Sequence, residues 1–167
     1  MSNYNLGKKI VITKSAVGTR VLAKEIAGKL IKQRLKDGAL VVALQGDLGS
    51  GKTTFIQGLA EGLGAEGRIT SPTFVIMKKS EIRNPKSETN SNFQNSKFKI
   101  FKNFYHFDCY RIDKPKEILE LGWQEIIADP KNIVAIEWPE RIKKFLPKET
   151  IRLNFKFLNK NQREIKI

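Results

Sequence analysis

The first half of the chain alternates between apolar residues at helical spacing and uninterrupted apolar runs. Residues 15–36 carry apolar side chains three and four positions apart, which predicts an amphipathic helix that ends before Gly38. Residues 39–45 form a continuous apolar run, as in a strand buried on both faces of a parallel sheet. Residues 53–63 return to helical spacing and stop at Gly64. The inner face predicted for the first helix comprises Val17, Val21, Leu22, Ile26, Leu30, Ile31 and Leu35.

The second half predicts further strands and short helices around one polar stretch. Residues 80–97 hold Ser, Asn, Lys, Gln and Pro with almost no apolar content, so we expect an exposed, mobile loop there. No repeat or linker divides the chain, which predicts a single α/β domain over residues 1–167 with helices on both faces of the sheet. Strands are predicted at 73–77, 104–110, 133–136, 150–157 and 163–167, and short helices at 115–121, 123–128 and 141–145.

A glycine-rich segment joins the first apolar run to the following helix. From Gly46 to Thr53 it reads Gly-Asp-Leu-Gly-Ser-Gly-Lys-Thr, in which the glycines let successive backbone N–H groups surround a di- or triphosphate. The helix adds the positive end of its dipole, Lys52 can reach the β and γ phosphates, and the Thr53 hydroxyl can bind Mg²⁺. The fold is therefore predicted to be P-loop NTPase-like, with a mostly parallel sheet and antiparallel closing strands. The predicted ATP-binding residues are Asp47, Leu48, Gly49, Ser50, Gly51, Lys52, Thr53 and Thr54.

Two acidic residues end predicted strands and are candidates for the hydrolytic machinery. Glu137 follows the apolar strand 133–136, and Asp108 ends the aromatic strand. The carboxyl ends of parallel strands lie on the side of the phosphate loop, so both acids can converge there. We assign Glu137, with Thr53, to Mg²⁺, and Asp108 to orienting or deprotonating the attacking water or holding the metal's water shell. The alternative is that one of them is an ordinary surface acid.

Three weaker sequence signals concern the Thr73 hydroxyl, the single histidine and the identity of the nucleotide base. Thr73, in Ser-Pro-Thr-Phe at 71–74, could sense the γ phosphate as switch segments do, although this string is also a common turn. His106 has no Cys/His cluster around it and is expected to be a partly buried strand residue rather than a metal ligand. Asn-Lys-Asn-Gln at 159–162 lacks the acid of the guanine signature Asn-Lys-x-Asp, which favours ATP over GTP.

Charge and composition give only limited information about the binding partners and the cellular location of the protein. Lys and Arg number 31 against 17 Asp and Glu, a net charge of +14 that would attract polyanions. These charges are dispersed along the chain, so they do not by themselves indicate RNA binding. A single cysteine excludes an internal disulfide, and no apolar run approaches the ~20 residues that span a bilayer. No apolar signal segment follows Met1, and we expect a cytoplasmic protein without membrane contact.

Four motifs together resemble the TsaE (YjeE) family, the bacterial ATPases of tRNA threonylcarbamoyladenosine biosynthesis. They are GDLGSGKTTF at 46–55, SPTF at 71–74, HFDCYR at 106–111 and IEWPER at 136–141. The resemblance implies a partner-dependent ATPase that uses ATP and Mg²⁺ and resets a complex of TsaB-like and TsaD-like proteins, with any tRNA contact indirect. It also implies that Lys52 binds phosphate, that Thr53 and Glu137 hold the metal, and that Asp108 and Thr73 belong to the catalytic motifs.

The chain departs from the family pattern in two places, and two rival functions stay open. Residues 79–103 are longer and more polar than the usual connection, and Gln162-Arg163 stands where the family often has Gly-Arg. A small-molecule kinase is the first rival, although a full helix precedes the phosphate loop and residues 80–97 offer only Arg83 for a substrate lid. The second rival is a nucleotide-gated interaction module with little chemistry, which would use the same loop.

Overall fold

A mixed seven-stranded sheet forms the centre of the computed structural model, which describes residues 7, 9–32, 37–67, 75–83 and 101–167. The strands lie in the order β1-β7-β6-β2-β5-β4-β3. Two 3₁₀ segments cover Cys109–Arg111 and Pro139–Phe145. The strands and α-helices, in chain order, are β1 (Ile10–Thr13), α1 (Ala16–Ile31), β2 (Leu40–Gln45), α2 (Lys52–Leu63), β3 (Met77–Glu81), β4 (Asn103–Asp108), α3 (Glu117–Glu120), α4 (Trp123–Ala128), β5 (Asn132–Glu137), β6 (Ile151–Phe157) and β7 (Arg163–Lys166).

The middle of the sheet is parallel and its margins are antiparallel. Strands β6, β2, β5 and β4 run parallel to one another, whereas the pairs β3–β4, β6–β7 and β1–β7 are antiparallel. Helices α1 and α2 cover one face, over a core that includes Leu44 and Phe55, and α3 and α4 cover the other, around Phe107 and Trp123. These features confirm the predicted α/β class, the mostly parallel centre and the helices on both faces. No helix among the described residues is both long enough and apolar enough to cross a membrane.

Helix α1 packs against α2 through small residues, and this contact rotates it away from the predicted orientation. A Cβ added at Gly58 of α2 would lie 2.6 Å from the carbonyl oxygen of Arg20 and 2.9 Å from the Cβ of Ala23. Such a close approach requires small side chains on α1, so alanines face the core. Val17 and Val21, which the periodicity placed on the inner face, are instead 70% and 50% exposed, and that part of the prediction was wrong.

Helix α1 begins where the sequence predicts but ends earlier. The helix begins where expected, because the Ser15 hydroxyl caps it by accepting a hydrogen bond of 3.0 Å from the Gly18 N–H. It ends at Ile31 rather than at residue 36, and residues 33–36 lie outside the described part of the chain.

The edge strands are where the sequence pattern predicted least well. Strand β3 occupies Met77–Glu81 rather than 73–77, and so takes its last two residues from the predicted loop. Strand β1 had no predicted counterpart, and its Ile10 and Ile12 are largely exposed. An edge strand has a neighbour on one side only, so neither a buried apolar run nor strict alternation needs to mark it. Residues 68–74 and 84–100, with most of the predicted loop, lie outside the described ranges.

The glycine contact predicts opposite effects for two Gly→Ala changes. Gly58→Ala forces a methyl group against the backbone of Arg20 and should lower the free energy of unfolding by about 1–3 kcal/mol. Gly28→Ala is the matched control, since a Cβ there meets nothing within 4 Å and should leave stability unchanged or raise it by up to about 1 kcal/mol. Urea denaturation followed by circular dichroism measures both. Equal effects of the two changes would contradict the proposed helix contact.

Candidate functional site

The carboxyl ends of three parallel strands meet beside the glycine-rich loop. Glu137 at the end of β5 is paired with Leu44 of β2 on one side and with Asp108 of β4 on the other. Directly after β2, the loop leads into α2, whose first residue is Lys52. A cavity of about 580 Å³ opens at this edge. The predicted site residues in its wall are Leu48, Gly49, Gly51, Lys52, Thr53, Thr54, Asp108 and Glu137.

Two glycines give the loop its shape. Gly46 has φ +145°, and a Cβ there would lie 2.3 Å from the carbonyl oxygen of Phe155, so only glycine lets the loop pass so close to β6. Gly51 has φ +96° and directly precedes α2. The N–H groups of the first helical turn have no acceptor within the helix. Lys52, Thr53 and Thr54 of this turn line the cavity, so this part of its wall is suited to binding an anion.

The Lys52 ammonium group is folded back onto its own loop. Its Nζ donates to the carbonyl oxygens of Gly46 at 2.6 Å and Asp47 at 2.8 Å. It also lies 4.2 Å from the centroid of the Trp138 ring. Burial lowers the pKa of Lys52 below its usual value, while the charge of Glu137 opposes that shift. The ammonium group thus has neutral oxygen partners at the mouth of the loop that a phosphate can replace.

Glu137 joins α2 and β4 through two contacts of its carboxylate. The Thr53 hydroxyl lies 2.9 Å from Oε1 and 3.0 Å from Oε2. The Nε2 atom of His106 lies 2.9 Å from Oε1. Glu137 is 4% exposed and His106 is 1% exposed. The structure therefore brings Thr53 and Glu137 together, as their assignment to one metal requires. It also adds His106, which lies in a strand as expected but is fully rather than partly buried.

Asp108 lies beside Glu137 but has a structural contact as well. Its Oδ1 accepts a hydrogen bond of 3.2 Å from the Tyr110 N–H and caps the 3₁₀ segment. This cap explains why β4 ends at Asp108 rather than at residue 110. The carboxyl group lines the cavity, so its predicted place at the loop agrees with the structure. Thr73 lies outside the described residues, and its predicted role has no structural counterpart here.

Sequence reasoning missed the wall that the C-terminal strands supply. The Arg163 Nε donates to the carbonyl oxygen of Gly49 at 3.0 Å, and its NH1 donates to the Asn159 carbonyl oxygen at 2.7 Å. Lys160 and Asn161, in the turn between β6 and β7, line the same cavity. Arg163 and Gly49 are 114 positions apart, so no local pattern could have joined them.

An aromatic pair forms the opposite wall. The ring centroids of Tyr110 and Trp138 are 5.0 Å apart. Trp138 has φ +57°, the one positive φ of a non-glycine residue among those described. A left-handed backbone at a bulky residue costs about 1–3 kcal/mol and is held by its surroundings. The strain places the indole ring over Lys52, immediately after Glu137.

The available donors suit a magnesium–nucleotide complex better than a metal held by protein alone. Within the described ranges, no group of three or more His, Cys, Asp or Glu side chains could hold a metal ion. The Thr53 hydroxyl and the carboxylate of Glu137 are hard oxygen donors within 3.0 Å of each other. Mg²⁺ takes one or two such ligands and completes its shell with phosphate oxygens and water. These residues therefore fit Mg²⁺ that arrives with a nucleotide.

Known proteins resemble this chain over most of its length. The sequence profile of the family described as threonylcarbamoyl adenosine biosynthesis protein TsaE matches residues 13–165. The tRNA threonylcarbamoyladenosine biosynthesis protein TsaE of Treponema pallidum (strain Nichols) is 33% identical over 140 residues, which is 84% of this chain and 89% of that protein. The protein of the same name from Rickettsia prowazekii (strain Madrid E) is 38% identical over 136 residues, 81% of each chain.

One solved structure resembles the fold closely. The crystal structure of Bacillus subtilis YdiB matches with a TM-score of 0.64 and 27% sequence identity, and the match covers 96% of this chain and 84% of that one. The two chains thus share their architecture over nearly the whole length of this chain.

The cysteine next to Asp108 should be inert in the folded protein. Burial, with Asp108 adding to it, raises the pKa of Cys109 to about 12 from the usual 9.0, which lowers the thiolate fraction at pH 8 about a thousandfold. We expect Ellman's reagent to label almost no native protein at pH 8 and one thiol per chain in guanidinium chloride, since Cys109 is the only cysteine. Rapid, complete labelling of the native protein would contradict the buried position.

Proposed function

The chain belongs to the TsaE family of threonylcarbamoyl adenosine biosynthesis proteins, and we propose that it is the Mg²⁺-dependent ATPase of the machinery that makes N6-threonylcarbamoyladenosine in tRNA. The observation that carries the proposal is the contact of Thr53, directly after the phosphate-binding Lys52, with the carboxylate of Glu137. That contact joins the phosphate loop to an acid at the carboxyl end of a neighbouring strand, as phosphate-loop hydrolysis requires.

Binding of the triphosphate draws on the loop and on Lys52. Backbone N–H groups from Gly49 to Thr54 surround the phosphates, at the positive end of α2. Lys52 exchanges the neutral carbonyl oxygens of Gly46 and Asp47 for phosphate oxygens, which are stronger acceptors because they are charged. The base is adenine in this proposal, because residues 159–162 of the cavity-lining turn lack the acid of the guanine signature.

In the proposed hydrolysis, Thr53, Glu137 and Asp108 have different roles. Thr53 and Glu137 would hold Mg²⁺, Glu137 directly or through water, and the ion would neutralise the charge that develops on the phosphates during the reaction. Asp108, 8% exposed at the end of β4, orients or deprotonates the attacking water or holds the metal's water shell. Thr53 would offer a lone pair of its hydroxyl oxygen to the metal while its proton still bonds to Glu137.

The partners in this proposal are a TsaB-like and a TsaD-like protein. The chain alone turns over ATP slowly, and hydrolysis resets the complex of these two proteins between rounds of modification. Support comes from the family, whose named members act in tRNA threonylcarbamoyladenosine biosynthesis. The +14 charge would then favour approach to a complex that carries tRNA, with any contact to the tRNA indirect.

Two substitutions separate binding from hydrolysis. Lys52→Ala removes charge-assisted hydrogen bonds to phosphate and should weaken ATP and ADP binding about 10- to 100-fold in calorimetry. Glu137→Gln leaves the loop intact and should keep metal-free ADP binding while lowering Mg²⁺-dependent phosphate release by about 10- to 100-fold. The control is Lys29→Ala, because Lys29 is exposed in the last turn of α1 and should behave as wild type. Undiminished phosphate release by Glu137→Gln would refute its metal role.

The partner dependence has its own test. Phosphate release is measured for the chain alone and after addition of the TsaB-like and TsaD-like proteins of the same organism, and we expect the partners to bind and to raise the rate. The partners with Lys52→Ala in place of the wild type control for contaminating ATPases. If the partners neither bind nor change the rate, the assignment fails. A phosphorylated small acceptor in place of free phosphate would favour the rival kinase.

A further inference from the structure

His106 is a buried polar residue to which the proposed hydrolysis assigns no role. It lies on β4 opposite Ala135 of β5, two residues before Glu137. Side chains alternate along a strand, so His106 points to the same face of the sheet as Phe104, which packs in the core under α1 and α2. On that face its Nε2 lies 2.9 Å from Glu137 Oε1.

The surroundings of the imidazole determine which nitrogen carries the proton. An ionised carboxylate only accepts hydrogen bonds, so the 2.9 Å contact requires a proton on Nε2. The Nδ1 atom is buried and has no hydrogen-bond partner among the described residues. A proton on Nδ1 would therefore give a buried donor no acceptor among the described residues, which is unfavourable. A proton on Nε2 satisfies both constraints.

Two donors fix the orientation of the Glu137 carboxylate. In the described contacts, these are the Thr53 hydroxyl and His106 Nε2. In the proposed function the Thr53 oxygen also binds Mg²⁺, so His106 is the contact of the carboxylate that no ligand shares. Its backbone is held by the parallel pairing of β4 with β5, so the donor cannot drift away from the acceptor.

We infer that His106 is a positioning residue, whose Nε2–H holds Oε1 of Glu137 and so keeps the carboxylate turned toward Thr53 and the Mg²⁺ that accompanies the nucleotide. The inference rests on the proposed function for the metal, but the hydrogen bond itself can be tested without it. Partners that orient metal-binding groups in this way typically change metal affinity or activity by about 10- to 100-fold.

The first experiment reads the proton directly. His106 is the only histidine among the 167 residues, so protein labelled with ¹⁵N-histidine gives a single imidazole signal pattern in NMR. We expect a protonated Nε2 in the nucleotide-free wild type, and a shifted pattern in Glu137→Ala. An Nε2 without a proton cannot donate to the carboxylate and would overturn the inference. This measurement needs neither a histidine substitution nor ATP hydrolysis.

The second experiment compares His106→Leu with His106→Gln. Leu fills similar space without a donor, whereas the side-chain amide of Gln can still donate to Glu137. Calorimetry gives ADP affinity with EDTA and with Mg²⁺, and the ratio of the two measures how far Mg²⁺ strengthens binding. We expect the Leu variant to bind ADP in EDTA within about twofold of wild type and to lose about 10-fold or more of the Mg²⁺ effect. The Gln variant should keep most of that effect.

The outcomes separate a positioning role from a structural one. A Leu variant with the full Mg²⁺ effect overturns the inference, as does a Gln variant that is as defective as Leu. Loss of metal-free ADP binding along with the Mg²⁺ effect indicates general damage to the site and also overturns it. If the wild type itself shows no Mg²⁺ effect on ADP binding, the metal part of the proposed function fails instead, and the NMR result still decides whether His106 donates to Glu137. Melting temperatures of both variants verify that they fold.

Discussion

The parallel, in-register pairing of β2, β5 and β4 is the constraint on which the site depends. It places Leu44, Glu137 and Asp108 side by side at one edge of the sheet. The three strands are buried by helices on both faces, so a shift of register would move each side chain into the opposite core, where it does not fit, and is disfavoured. The loop that follows β2 and the acid that ends β5 therefore lie close together in space, although they are far apart along the chain.

Three side chains of the site have partners within the protein before any ligand binds. Lys52 bonds to loop carbonyl oxygens, and Thr53 bonds to Glu137, which is held in turn by His106. Buried polar groups without partners would be costly. In the proposed function, nucleotide binding would exchange these internal partners for phosphate and metal, so its net free energy would be the difference between two sets of polar contacts.

Close packing of α1 on α2 supports the same arrangement from one side. The glycine at 58 lets the helix backbones approach, and the N-terminus of α1 then reaches the cavity, where Ser15 and Thr19 form part of the wall. The exposure of Val17 and Val21 follows from this approach, because the helix turns Ala23 and Ala27 toward the glycines of α2 instead. Helical periodicity predicted where the helix lies, but packing against α2 determines which of its faces is buried.

The sequence by itself determined the elements whose signal is local: the apolar strands β2 and β5 and the glycine-rich loop that carries Lys52 and Thr53. These depend on residues within a few positions of one another, and the order of four motifs sufficed for the family. The sequence also predicted that Glu137 lies near Thr53, but only the tertiary structure decided that the two are hydrogen-bonded across 84 positions, that His106 joins them, and that Arg163 bonds to the loop. Edge strands β1 and β3 also belong here, since their stability comes from a neighbour that is distant in sequence. Contacts of this kind depend on strand order and register, which are properties of the whole fold and leave no periodic trace in the chain.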